Sequence, residues 1–169
     1  PHHRLARDED SARLDADLLL VWRQLTPEEA RATPILSDHL CFVQRARHPR
    51  GKTSPGVDEL CQLSHAIIAP EAGALWGVIA DDLRKVGKKR RIVASLPSFL
   101  TVPALVAQSD LVAAIPRRLA NITPGSLEVF DLPLGNMDFE MLLSWHPRMQ
   151  SDPGHQWLRQ QIAAAVGKP

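Results

Sequence analysis

Short apolar runs separated by polar segments recur along the whole chain, and most of them predict strands. The first, LLLVW at 18–22, is a continuous apolar run with polar flanks, as expected for a buried strand. Between the second and third runs, RHPRGKTSPG at 47–56 is basic and rich in proline and glycine, which predicts a surface loop. The predicted strands are residues 18–22, 39–45, 65–70, 91–96, 110–115, 127–134 and 139–145.

Helical spacing of apolar residues and end-capping signals predict helices between these strands. In 74–86, ALWGVIADDLRKV, the apolar positions share one face, and Gly87 with a basic run ends the helix. The last helix, 152–166, has Asp152 as its cap and Pro153 at its first position. Thr26 and Pro27 carry the same signal after the first strand. Further helices are predicted at 57–63, at a segment ending at residue 107, and at 116–122.

This alternation of strands and helices is typical of βαβ units. It predicts an α/β fold with a mostly parallel sheet and helices on both faces. A chain of 169 residues is long enough for one domain with a real core, or for two small lobes that share a boundary.

Composition and charge exclude several classes of function. The chain is 44% apolar and 23% charged, as in an ordinary globular protein, and its net charge of +1 provides no field to recruit nucleic acid. Cys41 and Cys61 lie in apolar segments and are expected to be reduced core thiols. Reduced thiols favour a cytoplasmic setting, and no apolar run approaches the roughly 18 residues of a membrane span, so we expect no membrane contact.

One segment satisfies a loose phosphate-loop pattern and offers an alternative function. ARHPRGKT, 46–53, follows a predicted strand and ends in Gly-Lys-Thr. A phosphate loop needs glycines that free backbone N–H groups and a helix that opens at the lysine. Bulky residues and a following Ser-Pro-Gly argue against both, so a basic surface loop is favoured over a nucleotide-binding enzyme.

Other catalytic and metal-binding patterns are weaker still. Ser64 and His65 with Asp81 or Asp82 contain the residue types of a hydrolase, but no Gly-x-Ser-x-Gly elbow exposes a nucleophile. Cys41 has only His39 nearby and no second pair of ligands at zinc spacing. We therefore expect neither an enzyme nor a metal site, and no cofactor.

The strand-to-helix junction ASLPSFLT, 94–101, is the more informative candidate for binding. Ser98 or Thr101 can cap the helix, and Pro103 fits most easily in the first turn if Thr101 is the cap. Unpaired N–H groups at a helix start suit a carboxylate or phosphate. Plain capping without a ligand is equally compatible with these residues. Trp22 ends a predicted strand, a position where open α/β sheets bind ligands.

Six blocks in order resemble the effector-binding domain of LysR-type transcriptional regulators. The most specific are LEVFDLPL at 127–134 and LLSWHPRMQSDPGHQWLRQQI at 142–162, which pair a Trp-His strand end with an Asp-Pro helix start. The others are LDADLLLVW at 14–22, ILSDHLCFVQRARHP at 35–49, HAIIAPEAG at 65–73 and LPSFLTVPALVAQSDLVAAIPRRLA at 96–120. The resemblance spans about residues 14–166.

The resemblance implies a two-lobed fold like the type 2 periplasmic binding proteins, with a small-molecule cleft. The first lobe would be 1–46 plus 134–169 and the second 47–133, with crossings at 43–47 and 131–134. The first lobe would be incomplete, because its first strand-helix-strand segment has no counterpart here. The expected sheets are accordingly mixed or parallel.

The resemblance also implies the function and the site residues. The chain would sense a small-molecule effector and control transcription through a helix-turn-helix domain that it lacks, as a homodimer or homotetramer. The implied effector-binding residues are Trp22, Ser98, Phe99, Thr101, Pro116 and His146. A solute-binding receptor of the same fold is the alternative.

Overall fold

The computed structural model describes residues 16–68, 79–122, 125–135 and 137–166. The chain divides into two compact units. The first comprises Pro1–Ser37 and Phe139–Pro169, and the second comprises Asp38–Asp138. In the described ranges, no helix is long and apolar enough to cross a membrane.

The first unit contains strands from both ends of the chain and the C-terminal helix. β1 (Leu18–Trp22) pairs antiparallel with β7 (Asp138–Trp145), and β7 also neighbours β2 (Arg31–Arg45). α5 (Pro153–Val166) begins as predicted from its sequence, because the Asp152 carboxylate accepts the His155 N–H at 2.7 Å.

α5 is fixed to the strands through two of its side chains. A ring nitrogen of His155 lies 3.0 Å from the carbonyl oxygen of Asp17, just before β1. The Arg159 guanidinium lies 4.3 Å from the centre of the Trp145 ring at the end of β7, a cation–π contact. These contacts place α5 on the face of the β1–β7 pair that carries Trp145.

The second unit alternates short helices with strands. In chain order, the part of β2 from residue 38 onward is followed by α1 (Val57–Gln62), β3 (Ser64–Ile68), α2 (Ala80–Lys85), β4 (Arg91–Leu96), α3 (Val102–Ala107), β5 (Ala113–Pro116), α4 (Arg117–Asn121) and β6 (Leu127–Asp131). β3 and β4 are parallel, and a parallel bridge from His65 to Val112 connects β3 to the segment that leads into β5.

The mostly parallel sheet predicted from the sequence is wrong, and the fold is mixed α/β. β2 pairs antiparallel with both β5 and β6, as β1 does with β7, whereas the parallel pairing found among the described residues lies in the β3 region. The reason is β2 itself. It is 15 residues long and pairs with segments that lie far away in sequence, so its direction is not encoded in the local alternation of strands and helices.

Element boundaries differ from the predicted ones at a few places. The predicted helical start at Thr26 and Pro27 is wrong, because 27–30 form turns and β2 begins at Arg31. Thr26 instead donates its hydroxyl to the Trp22 carbonyl at 3.4 Å. The predicted strand 110–115 begins at Ala113, and of the predicted helix 74–86 only 79–86 lie among the described residues. Residues 69–70 of the third predicted strand also lie outside them.

The core of the second unit lies between its sheet and α3. Its fully or nearly fully buried members come from five elements, which fixes the strands and α3 against one another. They are Cys41, Val43, Ile68, Val102, Val106, Ala113, Ile115 and Ala120. Phe99 packs against this cluster with part of its ring exposed.

Candidate functional site

Several strand ends of the second unit meet at one edge of its sheet. β3, β4 and β5 run in the same direction, so their carboxyl ends lie together. β2 runs in the opposite direction. Its residue Leu40 pairs with Pro116, so residues 38–40, with which the second unit begins, lie at the same edge. Ligands of open α/β sheets bind outside the carboxyl ends of strands, which makes this edge the candidate site.

The turn that follows β4 supplies three of the predicted site residues. Ser98 is extended, and its Oγ accepts the Leu100 N–H at 3.2 Å, so it caps the 3-10 turn Phe99–Thr101 that leads into α3. Thr101 does not cap α3 with its side chain. Its hydroxyl donates back to the Ser98 carbonyl at 2.8 Å, while Pro103 lies in the first turn as expected. Ser98 is therefore the capping residue of this junction.

Pro116 lies at the neighbouring strand end. It closes β5 and flanks α4 from outside, so the prediction that it occupies the first helical position is wrong by one residue. The Asp38 carboxylate lies at this helix start, where Oδ2 accepts the Arg118 N–H at 3.1 Å and Oδ1 accepts the His39 N–H at 2.8 Å. The start of α4 thus already has an anion from the chain itself.

Asp38 is a residue of this edge that the sequence did not identify. Its side chain is 6% exposed, and both of its backbone partners would lose their acceptor in Asp38→Ala. We expect that change to lower the free energy of unfolding by about 1–2 kcal/mol, the usual cost of a lost cap. Urea denaturation measures it. Asp38→Asn keeps an acceptor oxygen and should recover part of the loss; equal losses in both variants would contradict the capping role.

Cys41, one residue after Leu40 in β2, has a structural role. Cys41 is fully buried, and its Sγ lies 3.4 Å from the Ile115 carbonyl. Burial raises the pKa of Cys41 to about 11, although Arg117 acts in the opposite direction. A thiol protonated at neutral pH is a poor nucleophile, so Cys41 belongs to the core, as predicted.

The other two predicted site residues belong to the first unit and lie apart from each other. Trp22 stacks on Phe139, with ring centres 5.4 Å apart, and pairs with Met141 of β7. His146 follows β7, is exposed, and accepts the Arg148 N–H at 3.2 Å through Nδ1. His146 lies five positions beyond Met141, which corresponds to roughly 16 Å of extended chain. The structure therefore does not bring Trp22 and His146 together.

The geometry of the loop 46–53 does not fit a phosphate loop. Lys52 is exposed and lies 3.5 Å from the Glu128 carboxylate, and the next helix begins only at Val57. Arg50, in the middle of the motif, has a side chain only 5% exposed and bonded to Glu59. The loop is therefore held by its own ion pairs rather than left open for phosphate.

The residues of the hydrolase alternative are also engaged elsewhere. His65 is buried, with Nε2 2.7 Å from the Leu60 carbonyl. Asp81 and Asp82 form ion pairs with Arg84 and Lys85 of their own helix. In the part of the chain that the structure describes, no group of three or more His, Cys, Asp or Glu side chains could hold a metal ion.

Comparison with known proteins agrees with this architecture. The LysR substrate binding domain family matches residues 6–167. The transcriptional regulator SyrM of Rhizobium meliloti is 35% identical over 134 residues, which are 78% of this chain and 41% of SyrM. The transcriptional activator NagR of a Ralstonia species is 30% identical over 119 residues, 69% of this chain and 39% of NagR.

Two solved structures extend the match to the fold. The probable transcriptional regulator PA0477 of Pseudomonas aeruginosa superposes with a TM-score of 0.79 at 26% identity, covering 91% of this chain and 51% of that one. The regulatory domain of MexT, a transcriptional activator of the same organism, gives 0.74 at 25% identity, with 90% and 74% covered.

The mixed α/β architecture is thus that of a periplasmic-binding-protein-like regulatory domain. The chain belongs to the LysR substrate-binding domain family, the effector-binding regulatory domain of LysR-type transcriptional regulators rather than an enzyme. It spans about two-fifths of the length of the curated relatives that it matches.

Proposed function

We propose that this chain binds a small-molecule effector at the edge of the second unit where β4 and β5 end, in a two-lobed arrangement. One lobe is formed by the two ends of the chain and the other by its middle, a division that the two compact units support. Ser98, Phe99, Thr101 and Pro116 contribute from the second lobe. The first-unit candidates Trp22 and His146 lie roughly 16 Å apart along β7 and are left out of this site.

The observation that carries the proposal is the turn at Ser98. Its Oγ accepts a backbone N–H, but no described residue accepts its own proton, so the half-buried hydroxyl is free to donate to a ligand. The Thr101 hydroxyl donates to the Ser98 carbonyl and can therefore only accept from a ligand. Phe99 offers a partly exposed apolar surface between them.

This pattern favours an effector with an acidic group. A carboxylate of the effector would accept a hydrogen bond from the Ser98 hydroxyl. It would not bind at the start of α4, because the Asp38 carboxylate already lies there and repels a second anion. Among structural neighbours, the CcmR regulatory domain was solved with 2-PG and the effector binding domain of QuiR with shikimate. Both share the fold, which makes a small-molecule ligand the natural expectation here.

The effector would control transcription through a DNA-binding domain outside these residues. The relatives are HTH-type regulators, and this chain aligns with about 40% of their length. Binding that favours one arrangement of the lobes or of a homodimer or homotetramer would then change DNA binding at a distance. A cytoplasmic protein without membrane contact fits that role.

A thermal-shift screen over small carboxylic acids and aromatic compounds tests the proposal. An effector present at 100 times its dissociation constant should stabilise the protein by about 2.7 kcal/mol. Ser98→Ala should then weaken binding of that compound by about 1–3 kcal/mol, because a buried hydrogen bond is lost. Isothermal titration measures the change.

Ser54→Ala is the matched control, since Ser54 is an exposed serine of the same unit in the loop before α1. It should leave affinity unchanged. Unchanged affinity in both Ser98→Ala and Thr101→Ala would overturn the assignment of the site.

A further inference from the structure

We draw no further inference here: the strongest candidate, the apolar edge of β1 with which no described strand pairs, together with the exposed Trp157 and Leu158 of α5, carries none, because nothing in the structure shows what covers this surface.

Discussion

Arg50→Ala is expected to lower the free energy of unfolding by about 3 kcal/mol, the loss typical of breaking a buried charged network. The Arg50 side chain is 5% exposed, and its guanidinium donates to the Glu59 carboxylate at 2.9 Å, to Gln44 Oε1 at 2.6 Å and to the Thr53 carbonyl at 2.5 Å. Gln44 is fully buried, so its amide oxygen would lose its partner where water cannot replace it.

The same guanidinium also contacts two aromatic rings of the sheet. It lies 5.5 Å from the centre of the Phe42 ring and 5.4 Å from that of Phe130. Because a lysine ammonium cannot make the planar forked contacts, Arg50→Lys should recover only a minor part of the loss. Urea denaturation followed by circular dichroism measures both variants.

Lys52→Ala is the matched control within the same loop. Lys52 is 79% exposed and reaches Glu128 only at 3.5 Å, so its removal should cost less than about 1 kcal/mol. If Lys52→Ala destabilised the protein as much as Arg50→Ala, the loop would not be held by Arg50 as described.

The sequence predicted that residues 47–56 form a loop but not which of their side chains is buried. Its composition correctly predicted a basic surface segment, because proline, glycine and charge are local signals. The sequence did not reveal that Arg50 turns inward, since its partner Gln44 and the two phenylalanine rings are brought together by the pairing of β2 with β6. Contacts that depend on strand pairing cannot be inferred from local composition.

Elements with strong local signals were predicted closely. β4 has the predicted bounds, and α5 begins where the Asp152 cap and Pro153 indicated. The direction of β2 was not predictable in the same way, because it pairs with 113–116 and 127–131, some seventy or more residues further along. Short apolar runs determine that a strand exists but not which strand it will pair with.

The same distinction applies to the candidate site: features encoded in local sequence were predicted, and contacts between distant segments were not. The Ser98 junction was recognisable because a strand end, a capping residue and a helix start follow one another in the chain. Asp38 was missed because the N–H that it caps belongs to Arg118, 80 positions later. Trp22 and His146 were grouped through family resemblance, and the antiparallel register of β1 and β7 separates them.

His65 gives the fold a pH dependence that its sequence position did not suggest. The side chain is 1% exposed, one ring nitrogen contacts the Leu60 carbonyl, and Nδ1 has no hydrogen-bond partner among the described residues. Burial lowers the pKa of His65 from 6.5 to about 4, against the opposing effect of the Leu60 contact, and the positive charge of Arg90 adds to the lowering. The folded protein therefore holds this histidine neutral where an unfolded chain would bind a proton.

The free energy of unfolding is expected to fall by about 3 kcal/mol as the pH decreases from about 6.5 to about 4, through this residue alone. Over that range the unfolded chain takes up a proton at His65 and the folded chain does not, so acid favours unfolding; above about 6.5 the contribution is constant. Urea denaturation at successive pH values measures the slope. His65→Gln should flatten it, although its neutral stability will also change, whereas His146→Gln, which removes an exposed histidine, should keep the wild-type slope. A slope that His65→Gln leaves unaltered would mean that other groups cause the acid sensitivity.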